Sequence, residues 1–128
     1  MSGFGLAGSL LGRPDVGLMD MNDILEATSR ITRATQIPVM ADIDTGGGNA
    51  INAAEITARL IENNVAGVNI EDQIFPKRCG HMEGKQVIPA EEMAGKVRAM
   101  VDVRARLGSD IVINARTDAC LLYTSRCV

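Results

Sequence analysis

Three short apolar runs, each ending in polar residues and separated from the next by a longer amphipathic stretch, restrict the fold of this chain more than any other feature. The runs cover residues 38–44, 67–72 and 111–116. A chain that alternates short strands with amphipathic helices forms βα units on a parallel sheet. The sequence therefore predicts an α/β fold with a parallel sheet.

The stretches around and between these runs predict three helices. The first extends from about residue 21 to residue 35 and follows Asp20, whose side chain is suited to capping a helix N-terminus. The second covers residues 52–65. The third begins close to residue 89 and continues to Gly108, a residue type that favours helix C-termini.

Composition and charge narrow the class of protein. The 128 residues are 46% hydrophobic and 23% charged, as in an ordinary globular domain. A net charge of -3, with Lys and Arg dispersed among acids, predicts no nucleic-acid partner. No apolar run approaches the roughly 20 residues that span a bilayer, so we expect no membrane partner. The lack of a leader sequence and of a disulfide framework among three cysteines leads us to expect a cytoplasmic location.

Polar residues recur on one face at the carboxyl end of each predicted strand. Since successive side chains of a strand point to opposite faces, Asp42 and Asp44 are expected to point together. The same rule groups the polar residues of the other two strands, which are Asn69 with Glu71, and Asn114 with Arg116 and Asp118. Parallel α/β folds bind their ligands at this edge of the sheet, which makes these residues candidates for a site.

Asp42, Asp44 and Glu71 are the candidate metal ligands. Several carboxylates in a small space need a cation or protons to compensate their charge, and oxygen ligands favour Mg²⁺ or Mn²⁺. The alternative is that these acids merely cap a helix or pair with Arg116 or Lys77. The residues alone leave both interpretations open, although the repetition over three strands favours a site.

The glycine-rich segment 45–48 follows the first strand. It matches neither the phosphate-binding loop nor the dinucleotide fingerprint, and two aspartates directly before it would repel a phosphate. We interpret it as a flexible strand-to-helix loop whose backbone closely approaches another part of the protein.

Cys79 lies in a long segment, residues 72–89, that has neither a helical nor a strand period, and such loops are usually functional or disordered. Lys77, Arg78 and His81 surround it in sequence, and cationic surroundings favour the thiolate. Cys79 is therefore a candidate acid, base or nucleophile, and the alternative is a buried, inert thiol. A single histidine cannot supply a His-based zinc site, so zinc is not indicated.

Four motifs occur in the order in which they are found in the isocitrate lyase and phosphoenolpyruvate mutase superfamily, and the chain resembles that superfamily from residue 1 to about 119. The Lys-Arg-Cys-Gly-His motif resembles the lyase branch, and the methylisocitrate and 2,3-dimethylmalate lyases are the most similar. The four motifs are Ala41-Asp42-Ile43-Asp44-Thr45-Gly46-Gly47-Gly48, Ile70-Glu71-Asp72-Gln73, Lys77-Arg78-Cys79-Gly80-His81 and Ala115-Arg116-Thr117-Asp118-Ala119.

The resemblance implies a fold and a set of roles. The fold would be a (β/α)8 barrel, of which this chain would supply about strands 2 to 5. Asp42, Asp44 and Glu71 would surround a magnesium ion, partly through bound waters. The Ser2 hydroxyl and the backbone amides of the segment that includes Gly3 and Gly5 would hold the substrate keto acid.

Further roles are implied for residues of the third and fourth motifs. Arg116 would act on the same end of the substrate, as a binding and catalytic residue. Cys79 would protonate the departing carbanion from a mobile loop. In that loop Gly80 would contact substrate and His81 would be catalytic.

The activity implied is magnesium-dependent cleavage of a 2-hydroxy di- or tricarboxylic acid to a keto acid and a carboxylate. Two alternatives remain, a phosphonomutase with the same metal site and an inactive truncated fragment. We expect residues 1–119 to form an incomplete barrel domain and residues 120–128 to be a non-native or disordered tail. We also expect the fragment by itself to be inactive and the full-length parent to be a homotetramer.

Overall fold

The computed structural model of the chain describes residues 1–79 and 82–119. Three strands form one parallel sheet in the order β1, β2, β3. They are β1 (Met40–Asp42), β2 (Gly67–Glu71) and β3 (Val112–Arg116). All three predicted strands are present, each shorter than its apolar run, and the prediction of an α/β fold with a parallel sheet is confirmed.

The helices lie between the strands and before them. They are α1 (Gly3–Leu6), which continues into a π-helical turn (Ala7–Leu11), then α2 (Met21–Ala34), α3 (Ala50–Glu62) and α4 (Ala90–Arg106). The last three correspond to the predicted helices. No helix in the described part of the chain is both long and apolar enough to cross a membrane.

Side-chain capping sets where two of these helices begin. The Asp20 carboxylate accepts hydrogen bonds from the backbone N–H groups of Asn22 (2.7 Å) and Asp23 (3.0 Å), as the sequence predicted. Asn49 caps α3 in the same way, so that α3 begins two residues before the predicted start. After α4, Gly108 takes a left-handed conformation (φ +61°), which ends the helix as predicted.

One face of the sheet carries the core. Ala41, Val68 and Ile70 point to this face and are almost completely buried. They pack against apolar side chains of the helices, which include Ile24, Leu25, Ala53, Ile56, Leu60 and Met100. The core is aliphatic. The opposite face of the sheet is polar toward its carboxyl edge, where Asp42, Asn69 and Asn114 are in register.

The segment between β1 and α3 departs from the predicted extended strand. The strand ends at Asp42, and Asp44 has a left-handed backbone (φ +51°). The alternation of side chains along a strand, from which we predicted that Asp42 and Asp44 point together, therefore does not apply to Asp44. The predicted close approach of the backbone is present at Gly46, where a methyl group would lie 2.9 Å from the Ile70 side chain. Tertiary contacts therefore overrode the strand pattern at this edge.

Lys96, in α4, is buried, and its ammonium group donates a hydrogen bond to the Thr45 carbonyl oxygen at 3.1 Å. Burial lowers the pKa of Lys96 below its ordinary value, while Glu92 opposes the shift. The folded state therefore binds fewer protons than the unfolded chain between the lowered pKa and the ordinary one. The contribution of Lys96 to the free energy of unfolding must increase as the pH rises through that window.

We expect wild type to gain stability relative to Lys96→Met as the pH is raised from about 7 to about 10. Urea unfolding of both proteins at each pH measures this difference. Arg98→Met controls for loss of a cation, because Arg98 is exposed on the same helix. A difference independent of pH would mean that Lys96 keeps its proton throughout.

Candidate active site

A row of polar side chains crosses the sheet on the face opposite the core. Asp42 is in register with Asn69, and Asn69 with Asn114, whose side-chain amide donates to the Asn69 side-chain oxygen at 2.7 Å. Two residues further along, Glu71 is in register with Arg116, and their side chains form an ion pair at 3.0 Å. The parallel register thus brings the predicted polar residues together at the carboxyl edge of the sheet.

Asp42 is partly buried and receives backbone N–H groups on both carboxylate oxygens. Gly3 donates to one oxygen and Asp44 to the other, each at 3.2 Å. A methyl group on Gly3 would lie 2.8 Å from Asp44 Oδ1, so only glycine allows the N-terminal segment to come this close to the acids. Gly3 is thereby fixed beside two of the three predicted metal ligands.

Ser2 and Gly5 lie in the same segment. The Ser2 hydroxyl is exposed and accepts the Gly5 N–H at 3.1 Å, so it caps α1. In this structure the amides of Gly3 and Gly5 therefore donate to protein oxygens. Of these predicted substrate-binding residues, Gly3 lies beside the acids, and the Ser2 hydroxyl caps the adjoining helix.

Asp44 belongs to a buried charge cluster with Lys77 and Asp15. Lys77 Nζ lies 2.7 Å from Asp15 Oδ2 and 2.8 Å from Asp44 Oδ1. Burial lowers the pKa of Lys77, but its hydrogen bond to Asp15 and the negative charges of Asp15 and Asp44 outweigh this and hold the pKa above its ordinary value. The pairing of an acid with Lys77, which the sequence left open, is present, and Asp15 is a member that sequence reasoning missed.

Asp44 is not fully satisfied by this cluster. Its Oδ1 is buried and makes no hydrogen bond of good geometry with any described residue, although Lys77 is close, so that contact is mainly a charge attraction. Burial raises the pKa of Asp44, with Lys77 opposing the rise and Asp42 adding to it. A further positive charge would stabilise the ionised form.

Glu71 is also buried among charges of both signs. Besides Arg116, its carboxylate accepts a hydrogen bond from the Gln73 side chain at 2.8 Å. Burial raises the pKa of Glu71 to about 7, with Asp118 adding to the rise and Lys77 and Arg116 opposing it. The second pairing that the sequence left open, an acid with Arg116, is therefore also present.

These acids fit a hard divalent cation that is held mainly through water molecules. Among the described residues, no three Asp, Glu, His or Cys side chains are placed to hold a metal ion together. Magnesium commonly keeps several waters and takes only one or two carboxylates from the protein. The unsatisfied Asp44 oxygen and the raised pKa of Glu71 fit such a water-mediated site.

Cys79 is partly buried in the segment that joins β2 to α4. An antiparallel bridge between Gln73 and Val87 closes the base of this segment. The Lys77 ammonium points into the acid cluster, while the Arg78 guanidinium donates to the Glu83 carbonyl at 3.0 Å. Gly80 and His81, to which roles were also assigned, lie outside the described residues, as do residues 120–128.

Helices on one face of a parallel sheet, with a polar site at its carboxyl edge, are the arrangement expected of a segment of a (β/α)8 barrel. The chain belongs to the phosphoenolpyruvate phosphomutase family, whose model matches residues 1–127. This agrees with the resemblance to the isocitrate lyase and phosphoenolpyruvate mutase superfamily.

Two relatives and one solved structure illustrate the similarity. The chain is 44% identical to the 2,3-dimethylmalate lyase of Eubacterium barkeri and 47% identical to the 2-methylisocitrate lyase of Shewanella oneidensis. Each match covers 93% of this chain and 40% of the relative. A crystal structure of 2,3-dimethylmalate lyase, described as a superfamily member, is 40% identical with a TM-score of 0.92, covering 94% of this chain and 40% of that one. The chain thus spans about two fifths of the length of these relatives.

Proposed function

We propose that the whole protein is a magnesium-dependent carbon–carbon lyase that cleaves a 2-hydroxy di- or tricarboxylic acid to a keto acid and a carboxylate. The observation that carries this proposal is that Asp42, Asp44 and Glu71 lie at the carboxyl edge of the sheet, where Glu71 is paired with Arg116. Such a set suits a metal-bound, doubly charged substrate. The similarity to two lyases supports the same class of reaction.

Asp42, Asp44 and Glu71 would hold the metal ion, in part through water. When bound, Mg²⁺ would polarise the oxygens of a 2-hydroxy acid and stabilise negative charge on them, and Mn²⁺ could replace it. The carboxylates themselves provide the oxygen ligands that such an ion prefers.

Arg116, Ser2 and Cys79 would bind the substrate and supply the proton. The Arg116 side chain is 41% exposed although it is paired with Glu71, so its free N–H groups can bind a substrate carboxylate. The exposed Ser2 hydroxyl can donate a hydrogen bond to the same end of the substrate. Cys79 would donate the proton that the leaving carbanion needs, and closure of its loop would exclude water. Gly80 would contact the substrate, and His81 would be a catalytic residue.

The second candidate is a phosphonomutase, which the description of the family model favours. It would use the same acids on a phosphorus–carbon bond. The two functions differ in their need for a proton donor, because a lyase must protonate a departing carbanion whereas a mutase transfers the phosphorus group between atoms of the substrate. Substitution of Cys79 therefore distinguishes the lyase from the mutase.

The test is an assay of the whole protein with magnesium. We would measure keto-acid release from 2-methylisocitrate, 2,3-dimethylmalate and isocitrate, and oxalate release from oxaloacetate. Conversion of phosphoenolpyruvate and carboxyphosphonoenolpyruvate would be followed in parallel. Release of a keto acid from one hydroxy acid would support the lyase proposal and identify the substrate. Conversion of a phosphorus compound alone would support the mutase instead.

Assembly and location belong to the same proposal. We propose a homotetramer in the cytoplasm, as the resemblance and the use of cysteine lead us to expect. Light scattering of the whole protein would measure its mass, and a monomer of full activity would contradict the tetramer. The same assay on the present 128 residues would test the expectation that they are inactive by themselves.

A further inference from the structure

Gln73 is almost completely buried (2% exposed), and its side-chain amide contacts three separate parts of the chain. The Nε2 group lies 2.8 Å from Glu71 Oε1, at the end of β2, and 2.7 Å from Asp118 Oδ2, just after β3. The same nitrogen lies 2.9 Å from the carbonyl oxygen of Arg78. One amide thus joins both strand ends to the segment that carries Cys79.

The contact with Arg78 consists of two hydrogen bonds. The Gln73 Oε1 atom accepts the Arg78 backbone N–H at 3.0 Å, while Nε2 donates to the Arg78 carbonyl. This pair satisfies both backbone groups of Arg78, as a neighbouring strand would. The backbone of Gln73 is itself held by its bridge to Val87. Gln73 therefore fixes the residue directly before Cys79 to a rigid base.

The contact with Glu71 depends on the chemistry of an amide. The Nε2 group has two hydrogens for three acceptors, which are the Glu71 and Asp118 carboxylates and the Arg78 carbonyl, so one hydrogen is shared, and the amide adds no negative charge between the acids. A glutamate of the same length would place a third carboxylate there, and a methionine would leave both acids without these donors. No other side chain of this length offers both a donor to the acids and an acceptor to the Arg78 N–H.

We propose that Gln73 is a positioning residue, which holds the Glu71 carboxylate and the Cys79-bearing segment in a fixed relation to each other. This inference rests on the proposed function, in which Glu71 is a ligand of the metal ion and Cys79 donates the proton. Loss of the Gln73 amide then disturbs both ends of the reaction at once, because Gln73 acts through Glu71 and the backbone of Arg78.

The test compares Gln73→Met and Gln73→Asn with wild type in the whole protein. Gln86→Met is the matched control, because Gln86 lies in the same segment with its side chain exposed. Three quantities are measured, which are kcat for keto-acid release, the dissociation constant of Mn²⁺, and the rate at which iodoacetamide alkylates Cys79, followed by mass spectrometry of its peptide. Circular dichroism at the assay temperature establishes that each variant is folded.

We expect both Gln73 variants to lower kcat and weaken Mn²⁺ binding by about 10-fold or more, the usual effect of losing a partner that orients a metal ligand. Cys79 should be alkylated faster, while Gln86→Met stays at wild-type values. Gln73→Asn keeps the amide and is the milder variant should Gln73→Met fail to fold. A folded Gln73→Asn with wild-type Mn²⁺ affinity and alkylation rate would overturn the proposal.

The readouts also separate this inference from the proposed function. If wild type cleaves none of the hydroxy acids, the lyase proposal fails. Mn²⁺ affinity and Cys79 alkylation still report whether Gln73 couples the two ends of the site. If wild type is an active lyase and the variants change only in melting temperature, Gln73 is merely structural and the inference fails alone.

Discussion

Removal of magnesium is expected to abolish keto-acid release by the whole protein, and Asp42→Asn is expected to lower kcat/KM by about a thousandfold or more with magnesium present. A metal ion contributes several kcal/mol to stabilising developing charge, and each 1.4 kcal/mol corresponds to about tenfold in rate. Asp42 carries the effect because its carboxylate is held in place by the Gly3 and Asp44 N–H groups. An asparagine keeps the size but removes the charge, and its amide nitrogen cannot accept one of these two N–H groups.

Two measurements check this expectation. Activity after treatment with EDTA, followed by readdition of Mg²⁺, tests the need for the ion. The rise in melting temperature on adding Mg²⁺ tests binding directly, since a ligand that binds only the folded state stabilises it. Asp102→Asn is the control, because Asp102 is exposed on α4. Full activity in EDTA would mean that the reaction does not require the metal ion.

Cys79→Ser is the second change with a large expected effect. We expect kcat to fall by about 10² to 10⁴, the usual contribution of a positioned acid or base, because a serine hydroxyl is a far weaker acid than a thiol. Mg²⁺ binding should be unchanged, since Cys79 is not among the proposed metal ligands. Steady-state kinetics together with the Mg²⁺-dependent melting shift measures both quantities.

Cys79→Ala and the phosphorus substrates supply the controls. If Cys79 is the proton donor, alanine should be as poor as serine. Unchanged lyase activity in either variant would mean that another group delivers the proton. A protein that converts a phosphonate equally well with and without the thiol would support the mutase instead.

The sequence predicted the elements well because their signals are local. Asp20 and Gly108 mark helix ends through their own side-chain and backbone properties, and apolar spacing over a few residues distinguishes strands from helices. The start of α3 was missed because Asn49 and Asn52 form a reciprocal capping pair that begins the helix earlier. The π-helical turn after α1 has no such local signal.

The sequence predicted which residues belong to the site better than it predicted which of them contact one another. Polar residues at strand ends identified Asp42, Glu71 and Arg116, because parallel register alone brings them to one edge. The Asp15–Lys77 pair joins residues 62 positions apart, and no local pattern reveals such a contact. The left-handed backbone of Asp44 likewise depends on tertiary partners, among them the Glu71 N–H that donates to its carbonyl oxygen at 2.8 Å.

The lysines of this chain share a property that matters for chemical labelling. Lys77, Lys85 and Lys96 are its only lysines, and all three are buried, with exposures of 5%, 7% and 3%. The N-terminal amine is also engaged, since it donates to the Met40 carbonyl at 2.9 Å. Amine-directed reagents therefore meet no exposed lysine in the folded chain, so fast acylation of these residues reports unfolding, and lysine-based cross-linking or immobilisation will select molecules that have lost this structure.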